Sequence, residues 1–410
     1  MDRNKARLWF IRLMVYLLLG GCGFIMLFPF AYMMFTSVKN STDVFHYPPR
    51  LLPYSAVTAE YEGQTLPVYE FEIDGETYEM VLTDEKVRYG FFTTQENIDV
   101  NNTRQSKILV ELPIDEAVET EEEVTLSDPS TGKEDSFPVF EVPVSGESQN
   151  LLLAYRSSLD VFVEPGNPEF RHYAVARTAK PVEEVEFQLD NYDTVLGLNL
   201  DRAFTNTILV TVGVTLGQLI TSIFGGYAFA RIPFPGRNTI FILYLGSIMI
   251  PFVVLIVPLY RLMVVLGWQD RLVSLIVPWI FTAYGTFLMR QFFLSIPHEI
   301  EEAALLDGAS RFRILWTIFV PLSTPVVATQ AIFTFLYAWN SFLWPLIIIG
   351  EGDERNPVLT LALIQLSNIA ADKPNLVMTG AAIAILPPII VFILAQKYFI
   401  ESVSSSAVKG

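Results

Sequence analysis

Residues 295–325 read SIPHEIEEAALLDGASRFRILWTIFVPLSTP, a polar and charged segment between two long apolar runs. Ser295 can cap the start of a helix, and Pro297 suits a first turn because the N–H that proline lacks is not needed there. Carboxylates favour the positive end of the helix dipole that such a turn carries. The turn supplies three of them, Glu299, Glu301 and Glu302. The sequence therefore predicts a short helix that begins here.

The same segment also predicts where this helix ends. Asp307 is followed by Gly308, and glycine readily takes the left-handed conformation that closes a helix. Ser310 can cap a second helix that runs to Pro321 and leads into the next apolar run. On the first helix, one face carries residues spaced by three to four positions, namely Ile300, Ala303, Ala304 and Asp307. Such a helix pair can seat in a cleft and transmit a rigid-body push.

Long apolar runs dominate the rest of the chain, which is 51% hydrophobic over 410 residues. A membrane span needs about 20 apolar residues. Six runs qualify, at about 13–36, 204–230, 239–263, 272–294, 322–350 and 376–396. Basic residues before the first run and after the second, fourth and sixth predict that both termini lie in the cytoplasm. A cleaved signal peptide is the competing interpretation of the first run.

Most of the length of the five later runs lacks ionisable side chains: 204–230, 239–260, 272–289, 322–350 and 376–396 contain no Asp, Glu, Lys, Arg or His. Proton-coupled carriers and voltage sensors need such groups inside the membrane, because those groups carry the coupling charge. Energy for transport must therefore come from a partner, or else the chain conducts passively.

Neutral polar residues within the runs are candidates for contact with a hydroxylated solute. They are Gln218, Gln330, Asn340 and Ser341. Each can instead join neighbouring helices by hydrogen bonds, and the sequence favours this second role over solute contact. Four small residues of the second run are expected to let another helix approach closely; they are Gly213, Gly217, Gly225 and Gly226.

A separate acidic region lies between the first and second runs. Residues 51–190 hold 30 Asp and Glu against 9 Lys and Arg. Residues 68–73 alternate, Asp74-Gly75 is a hairpin signal, and Tyr78, Met80 and Leu82 alternate on the return. The region is therefore predicted to be β-rich. We expect the acidic run at 119–123 to be a solvated loop rather than a metal site.

Motif spacing identifies a family. Glu302-Ala303-Ala304 is followed by Gly308, nine residues, and then Ile318 through Pro321. This pattern resembles the EAA loop, the element by which permease subunits of ABC importers dock onto a separate ATPase. Further segments resemble carbohydrate importer permeases of the MalG-like type, known as binding-protein-dependent transport inner-membrane components. Those segments are 28–30, 36–39, 47–50, 190–192, 227–231, 234–237 and the tail 396–410.

The resemblance implies an α-helical polytopic membrane protein with six transmembrane helices of the ABC importer type I fold. In that organisation 1–50 holds the cytoplasmic N-terminus and first span, 51–190 is a β-rich extracytoplasmic insert, and 191–410 is the transmembrane core with the EAA loop at 295–325. The insert is a departure, because the family usually has a few tens of residues there. The resemblance implies a location in the cytoplasmic (inner) membrane of a bacterium or archaeon.

The resemblance also implies partners: a second, MalF-like permease, two ATPase subunits, an extracytoplasmic sugar-binding protein and the membrane lipid. ATPase coupling falls to Glu302, Ala303, Ala304, Asp307, Gly308, Ile318 and Pro321. The C-terminal tail is expected to reach toward the ATPase, and the 351–375 loop toward the binding protein. ATP and Mg are expected on the partner ATPase and no cofactor on this chain.

No catalytic constellation, metal site or nucleic-acid-binding feature is expected. One Cys and three His make a structural zinc site a poor fit. The chain is thus predicted to be the permease subunit of an ATP-driven sugar importer and not an enzyme. Two alternatives remain open from the residues: the same machinery importing another polar solute such as glycerol phosphate, or a membrane-anchored receptor that binds a partner through its acidic domain.

Overall fold

A computed structural model describes residues 3–128, 131–144, 147–350 and 355–407, with side chains from residue 9 to residue 396 of those ranges. The chain divides into two compact units. Unit 1 comprises Met1–Pro53 and Phe187–Gly410, and unit 2 comprises Tyr54–Glu186. The tail beyond 396, and 351–354 of the loop expected to face a binding protein, lie outside the described side chains.

Unit 1 is helical. Its helices are α1 (Arg3–Ser37), α2 (Ser41–Val44), α3 (Asp190–Val195), α4 (Asp201–Arg231), α5 (Arg237–Gly246), α6 (Phe252–Val265), α7 (Val273–Ile276), α8 (Ala283–Ser295), α9 (His298–Leu306), α10 (Arg311–Ile314), α11 (Val320–Leu322), α12 (Thr324–Trp339), α13 (Leu343–Ile348), α14 (Leu359–Ile369) and α15 (Pro374–Ala407). A kinked turn at Leu196–Leu200, in which Asn199 has φ 64°, joins α3 to α4, and a π-helical turn at Leu315–Phe319 joins α10 to α11.

Three stretches of the described chain are long and apolar enough to cross a membrane as single helices: Trp9–Ser37, Asp190–Arg231 and Pro374–Gln396. Three further crossings are possible if bent helix pairs each form one span. The pairs are Arg237–Met249 with Phe252–Val265 (99°), Val273–Trp279 with Ala283–Ser295 (41°) and Arg311–Leu322 with Thr324–Trp339 (80°).

The apolar run predicted at 322–350 is not one helix. It contains α12 and α13, and the chain between them leaves the helical conformation at Asn340 and Phe342. Phe342 has φ −126° and ψ −57°, outside the range of a regular helix. Hydropathy alone cannot detect such a break, because every residue on both sides of it is equally free of charge.

A seam of glycines joins α4 to the chain that runs from α7 through α8. A Cβ added at Gly217 would lie 2.4 Å from Ile280, and one added at Gly226 would lie 2.5 Å from Met289. Gly213 and Gly225 face Ile276 and Thr286 in the same way, at 3.1 and 3.0 Å. The prediction that these four glycines permit a close helix approach is confirmed. Small residues allow backbones to meet where larger side chains would separate them.

Unit 2 is built from antiparallel strands: β1 (Tyr54–Ala56), β2 (Thr58–Tyr61), β3 (Gln64–Ile73), β4 (Glu76–Thr93), β5 (Val110–Pro113), β6 (Val118–Ser127), β7 (Glu134–Val144), β8 (Glu147–Glu164), β9 (Asn167–Ala174), β10 (Lys180–Pro181) and β11 (Glu183–Val185). The main sheet has the order β10-β3-β4-β8-β7-β6, with β2, β5 and β9 paired to β3, β4 and β8; β1 pairs with β11. Its core includes Phe92, Phe140, Val142, Leu151 and Leu153.

The hairpin predicted at Asp74-Gly75 is present: Ile73 pairs with Glu76, and both turn residues have positive φ, 55° and 85°. The prediction of a loop at 119–123 is wrong, because these residues lie within β6, the last strand of the sheet order. Charged side chains are tolerated on an edge strand and discourage its pairing with another chain. A run of glutamates therefore lacks the alternating pattern typical of a strand, although the strand still forms.

Candidate coupling site on helices α9 and α10

Helix α9 is bounded by extended residues on its N-terminal side. Ile296 and Pro297 have ψ values of 130° and 142°, so α8 ends at Ser295 and α9 begins at His298. The predicted cap by Ser295 is wrong: its hydroxyl donates back to the carbonyl of Phe292 at 2.7 Å. The residue before a proline is biased away from the helical conformation, and this separates Ser295 from α9.

The C-terminal end of α9 has the predicted form. Asp307 follows the last helical residue, and Gly308 adopts φ 77°. The amide of Ala309 donates to the carbonyl of Ala304 at 3.0 Å and closes the turn. Ser310 then caps α10, since its hydroxyl accepts from the amide of Arg313 at 3.3 Å. The chain thus runs through two short helices joined by a tight glycine turn.

The motif residues separate into an exposed group and a packed group. The exposed group contains Glu302, Ala303, Asp307, Gly308 and Pro321. Ala304 and Ile318 are half-buried and pack against one apolar cluster formed by α4, α8, α10 and the π-helical turn that follows α10. The exposed residues of α9 offer a short surface to a partner, while the packed ones fix that surface to the helical bundle.

Beneath this surface lies Glu301, a residue that is only 5% exposed. Its Oε2 lies 3.5 Å from Nη1 of Arg231, and its Oε1 lies 3.1 Å from Nη1 of Arg311. The hydroxyl of Tyr227 also donates to Oε1 at 3.3 Å. Glu301 therefore joins α9 to the C-terminal end of α4 and to the first turn of α10.

The Arg231 guanidinium has no exposed side-chain surface and holds several elements together. Its Nη2 donates to the carbonyl of Phe293 at 2.6 Å and also to that of Ile296. Its Nη1 donates to Nδ1 of His298 at 2.9 Å, and the guanidinium lies 5.0 Å from the ring centre of Phe319. Leaving one member of a buried ion pair without its partner costs about 3–5 kcal/mol. Glu301 and Arg231 are thus strongly interdependent.

Sequence reasoning missed this pair. Glu301 was recognised only as an acidic residue near a helix N-terminus, and Arg231 only as a basic residue at the end of an apolar run. Both observations suit exposed residues. The available signal was Tyr227-Ala228-Phe229-Ala230-Arg231, in which an arginine directly follows aromatic and small residues at the end of an apolar run. A partner 70 positions away could be assigned only once the helices were packed.

Two of the four candidate solute-pathway residues contact each other. The side-chain amide of Gln330 donates to the hydroxyl of Ser222 at 2.7 Å and to the carbonyl of Gln218 at 3.4 Å. The side chain of Gln218 donates to the carbonyl of Trp279 at 2.7 Å and accepts from Thr334 at 2.9 Å. These bonds connect α4 with α12 and with the residues before α8. This is the geometry of interhelical hydrogen bonding.

The other two candidates lie at the far end of α12, about 15 Å along the helix axis from Gln330 at 1.5 Å per residue. Asn340 is exposed and donates to the carbonyl of Leu336 at 2.8 Å. Ser341 lines a cavity of about 20 Å³, room for about one water molecule, together with Trp279, Tyr337 and Trp344. The four residues therefore do not form one site.

Among the described residues, no group of three or more His, Cys, Asp or Glu side chains lies close enough to hold a metal ion. The carboxylate of Glu301 is instead surrounded by arginine and tyrosine donors. The site can therefore hold α9 in place by charge and hydrogen bonding.

These features describe a polytopic membrane protein with a short exposed helix fastened to the end of a long apolar one. Comparison with known proteins identifies the class. Residues 218–405 match the model of the family described as the binding-protein-dependent transport system inner membrane component. The match begins within α4 and includes α9 through most of α15.

Two curated relatives illustrate the similarity. The sn-glycerol-3-phosphate transport system permease protein UgpE of Rhizobium meliloti is 34% identical over 209 residues, 51% of this chain and 74% of that protein. The arabinooligosaccharides transport system permease protein AraQ of Halalkalibacterium halodurans is 34% identical over 207 residues, 50% of this chain and 74% of that protein.

Among solved structures, one chain of a bacterial ABC transporter involved in the import of the acidic polysaccharide alginate is 26% identical. The structural match covers 54% of this chain and 82% of the alginate-transporter chain, with a TM-score of 0.47. The family match and the relatives together define the chain as an ABC importer permease component. It belongs to the family of binding-protein-dependent transport system inner membrane components.

Proposed function

We propose that this permease forms half of the translocation pathway of an ATP-driven importer for a sugar or oligosaccharide. The observation that carries the proposal is the exposed surface of α9, made by Glu302, Ala303, Asp307 and Gly308 on a helix fixed to the bundle from beneath. Membrane runs without ionisable groups supply no coupling charge of their own, so the energy must come through such a surface.

The proposed assembly has a second, MalF-like permease, two ATPase subunits that receive α9, and an extracytoplasmic binding protein that delivers the solute. ATP and Mg would bind to the ATPase subunits and none of the described residues of this chain is assigned to them. In this arrangement each bent helix pair crosses the membrane once, which gives six spans with both termini in the cytoplasm. Unit 2 then faces the extracytoplasmic side.

The exposed apolar surface of α1 fits this arrangement. Phe24, Ile25 and Met26 are each at least 70% exposed in the single chain. Lipid and the second permease would cover this surface in the assembly, because apolar side chains of a span need an apolar surrounding.

The proposed solute class is based on the relatives, whose names specify arabino-oligosaccharides and sn-glycerol-3-phosphate. A sugar is proposed first because the polar side chains within the apolar runs are neutral hydrogen-bonding groups beside aromatic rings, as at Trp339 to Trp344, and these suit a hydroxylated solute. Glycerol phosphate is the alternative. Uptake assays with labelled sugars and labelled glycerol phosphate, using the cognate binding protein, distinguish the two.

The decisive test is reconstitution in proteoliposomes. The permease with its binding protein, second permease and ATPase is expected to accumulate labelled solute only when ATP is present. Uptake by the purified permease without any ATPase would overturn the proposal.

Docking through α9 can be tested separately with Gly308→Asp. Nothing lies within 4 Å of a Cβ at Gly308, and aspartate tolerates the left-handed backbone better than most residues, so the permease should still fold. The added carboxylate would project from the exposed surface and is expected to abolish co-purification of the ATPase. Gly267→Asp is the matched control, because Gly267 has φ 68° and equally open surroundings but lies after α6. Equal ATPase recovery with both variants contradicts the docking assignment.

A further inference from the structure

The connections of α9 to its neighbouring helices are both non-helical. On one side it follows the extended residues Ile296 and Pro297, and on the other it precedes the left-handed Gly308 and the extended Ser310. Neither connection continues the hydrogen-bond ladder of a helix. Side-chain contacts must therefore determine how α9 sits on the bundle.

The most buried of those contacts is ionic. Glu301 is the one fully buried side chain of α9, whereas Ile300, Leu305 and Leu306 are 40%, 40% and 90% exposed. An amphipathic helix is ordinarily held by a stripe of apolar side chains. Here a carboxylate takes the central place of that stripe, and the small Ala304 is the residue of α9 that packs against the neighbouring apolar cluster.

The carboxylate connects α9 to a long rigid element. Its partners Arg231 and Tyr227 belong to the last two turns of α4, a helix of 31 residues from Asp201 to Arg231. The glycine seam in turn packs α4 closely against α8. A displacement of α9 would thus be passed to α4 through the Glu301 carboxylate.

We infer that the ion pair between Glu301 and Arg231 is the mechanical link that transmits movement of α9 to the transmembrane helices. This inference rests on the proposed docking of an ATPase onto α9. Glu301 and Arg231 are positioning residues, since both lie beneath the exposed surface and neither is offered to the partner. Arg311 is a weaker second anchor, because 43% of its side chain is exposed.

The test measures coupling in the complete reconstituted complex, as solute molecules imported per ATP hydrolysed. Glu301→Gln keeps the size and hydrogen-bonding capacity of the side chain but removes the charge that holds Arg231. We expect the ATPase to co-purify normally and to hydrolyse ATP, while import per ATP falls at least tenfold. Glu299→Gln, an exposed substitution on the same helix turn, is the matched control and is expected to retain the wild-type ratio.

A double-mutant cycle separates this role from a structural one. If the pair acts as one link, Glu301→Gln combined with Arg231→Gln should lower import per ATP no further than Glu301→Gln alone. A structural role alone would reduce the yield of assembled complex and leave import per ATP unchanged in the complexes that form. That result would overturn the inference.

If the glutamine variant does not assemble, Glu301→Asp is the second variant that tests the link. It keeps the charge but shortens the side chain, and reduced import per ATP in an assembled complex would support the link, whereas a wild-type ratio would overturn it. The wild-type complex distinguishes a failure of the proposed function from a failure of the inferred link. Failure of the wild type to bind an ATPase removes the proposed function, while wild-type coupling in Glu301→Gln removes only the link.

Discussion

The two units differ in whether their charged side chains are exposed or buried. Unit 2 carries most of the acidic residues of the chain, and its described ion pairs are largely exposed, as between Glu85 and Arg171, with 60% and 45% of each side chain exposed. Unit 1 has few charges but buries several of them. Besides Glu301 and Arg231, it encloses Lys39 and Asp43, whose side chains are 1% and 2% exposed. Charge therefore contributes to solubility in unit 2 and to the arrangement of helices in unit 1.

The second buried group of unit 1 lies where the chain leaves for unit 2 and where it returns. Asp43 accepts from Lys39 and Arg50 at 3.0 Å each. Asn191 donates to the carbonyls of Ser37 and Lys39 at 3.0 and 2.9 Å. The residues on both sides of the insertion are thus fastened to each other inside unit 1. This explains how a large insert is accommodated between α2 and α3 without disturbing the helices.

The largest expected effect is the loss of Asp43. Asp43→Ala leaves Lys39 buried without its counter-charge and should lower the free energy of unfolding by about 3–5 kcal/mol. Thermal unfolding of the protein in detergent measures the change. Asp193→Ala, at an exposed position of α3, is the control and should change stability by less than about 0.5 kcal/mol. Similar melting temperatures for the two variants would remove the contrast between buried and exposed charge.

Asn191→Ala should have an intermediate effect. Two backbone carbonyls lose a donor, but each keeps another, from Thr379 to Ser37 at 2.8 Å and from Asn375 to Lys39 at 3.2 Å. A loss of about 1–2 kcal/mol is expected, since no carbonyl is left without a partner. The same unfolding assay checks it. A loss as large as that of Asp43→Ala would mean that the hydrogen bonds, and not the ion pair, fix this region.

Breaking the exposed pair in unit 2 should matter least among the charge removals. Arg171→Gln removes a 2.8 Å contact with Glu85, and exposed pairs contribute about 0.2–1 kcal/mol. The difference from wild type should shrink at high salt because ions screen exposed charges. A comparison of unfolding at low and high ionic strength tests this. A salt-independent loss above about 2 kcal/mol would contradict the description of unit 2.

Titration of His172 gives the smallest expected effect. Burial lowers the pKa of this imidazole below its ordinary value of 6.5, because the charged form is poorly solvated beside Phe71. The unfolded chain then binds more protons, so stability is complete above pH 6.5 and declines as the pH falls below it. Hydrogen exchange of β8 and β9 should become faster from pH 7 to pH 5, after correction for intrinsic exchange. His172→Phe should reduce that pH dependence, and an unchanged dependence would assign it to other groups.

Local sequence signals predicted the structure correctly where the residues that determine a feature lie within a few positions of it. The hairpin at Asp74-Gly75, the end of α9 at Gly308 and the cap at Ser310 all depend on neighbours within a few residues. Signals failed where a competing local preference was overlooked, as with Pro297 separating Ser295 from α9. They also failed at 119–123, where an edge position in the sheet tolerates a run of glutamates that composition assigns to a loop.

The sequence by itself determined the class of protein, because long apolar runs without ionisable groups and the spacing from Glu302 to Pro321 are properties of the chain alone. It also determined that α4 could be approached closely, since glycine spacing is visible without a partner. Only the tertiary structure decided which charges are buried. Glu301 and its neighbour Glu302 are the same amino acid on the same helix, yet one lies beneath α9 and the other on its surface. That difference depends on where α4 and α10 place their arginines, and no local pattern contains it.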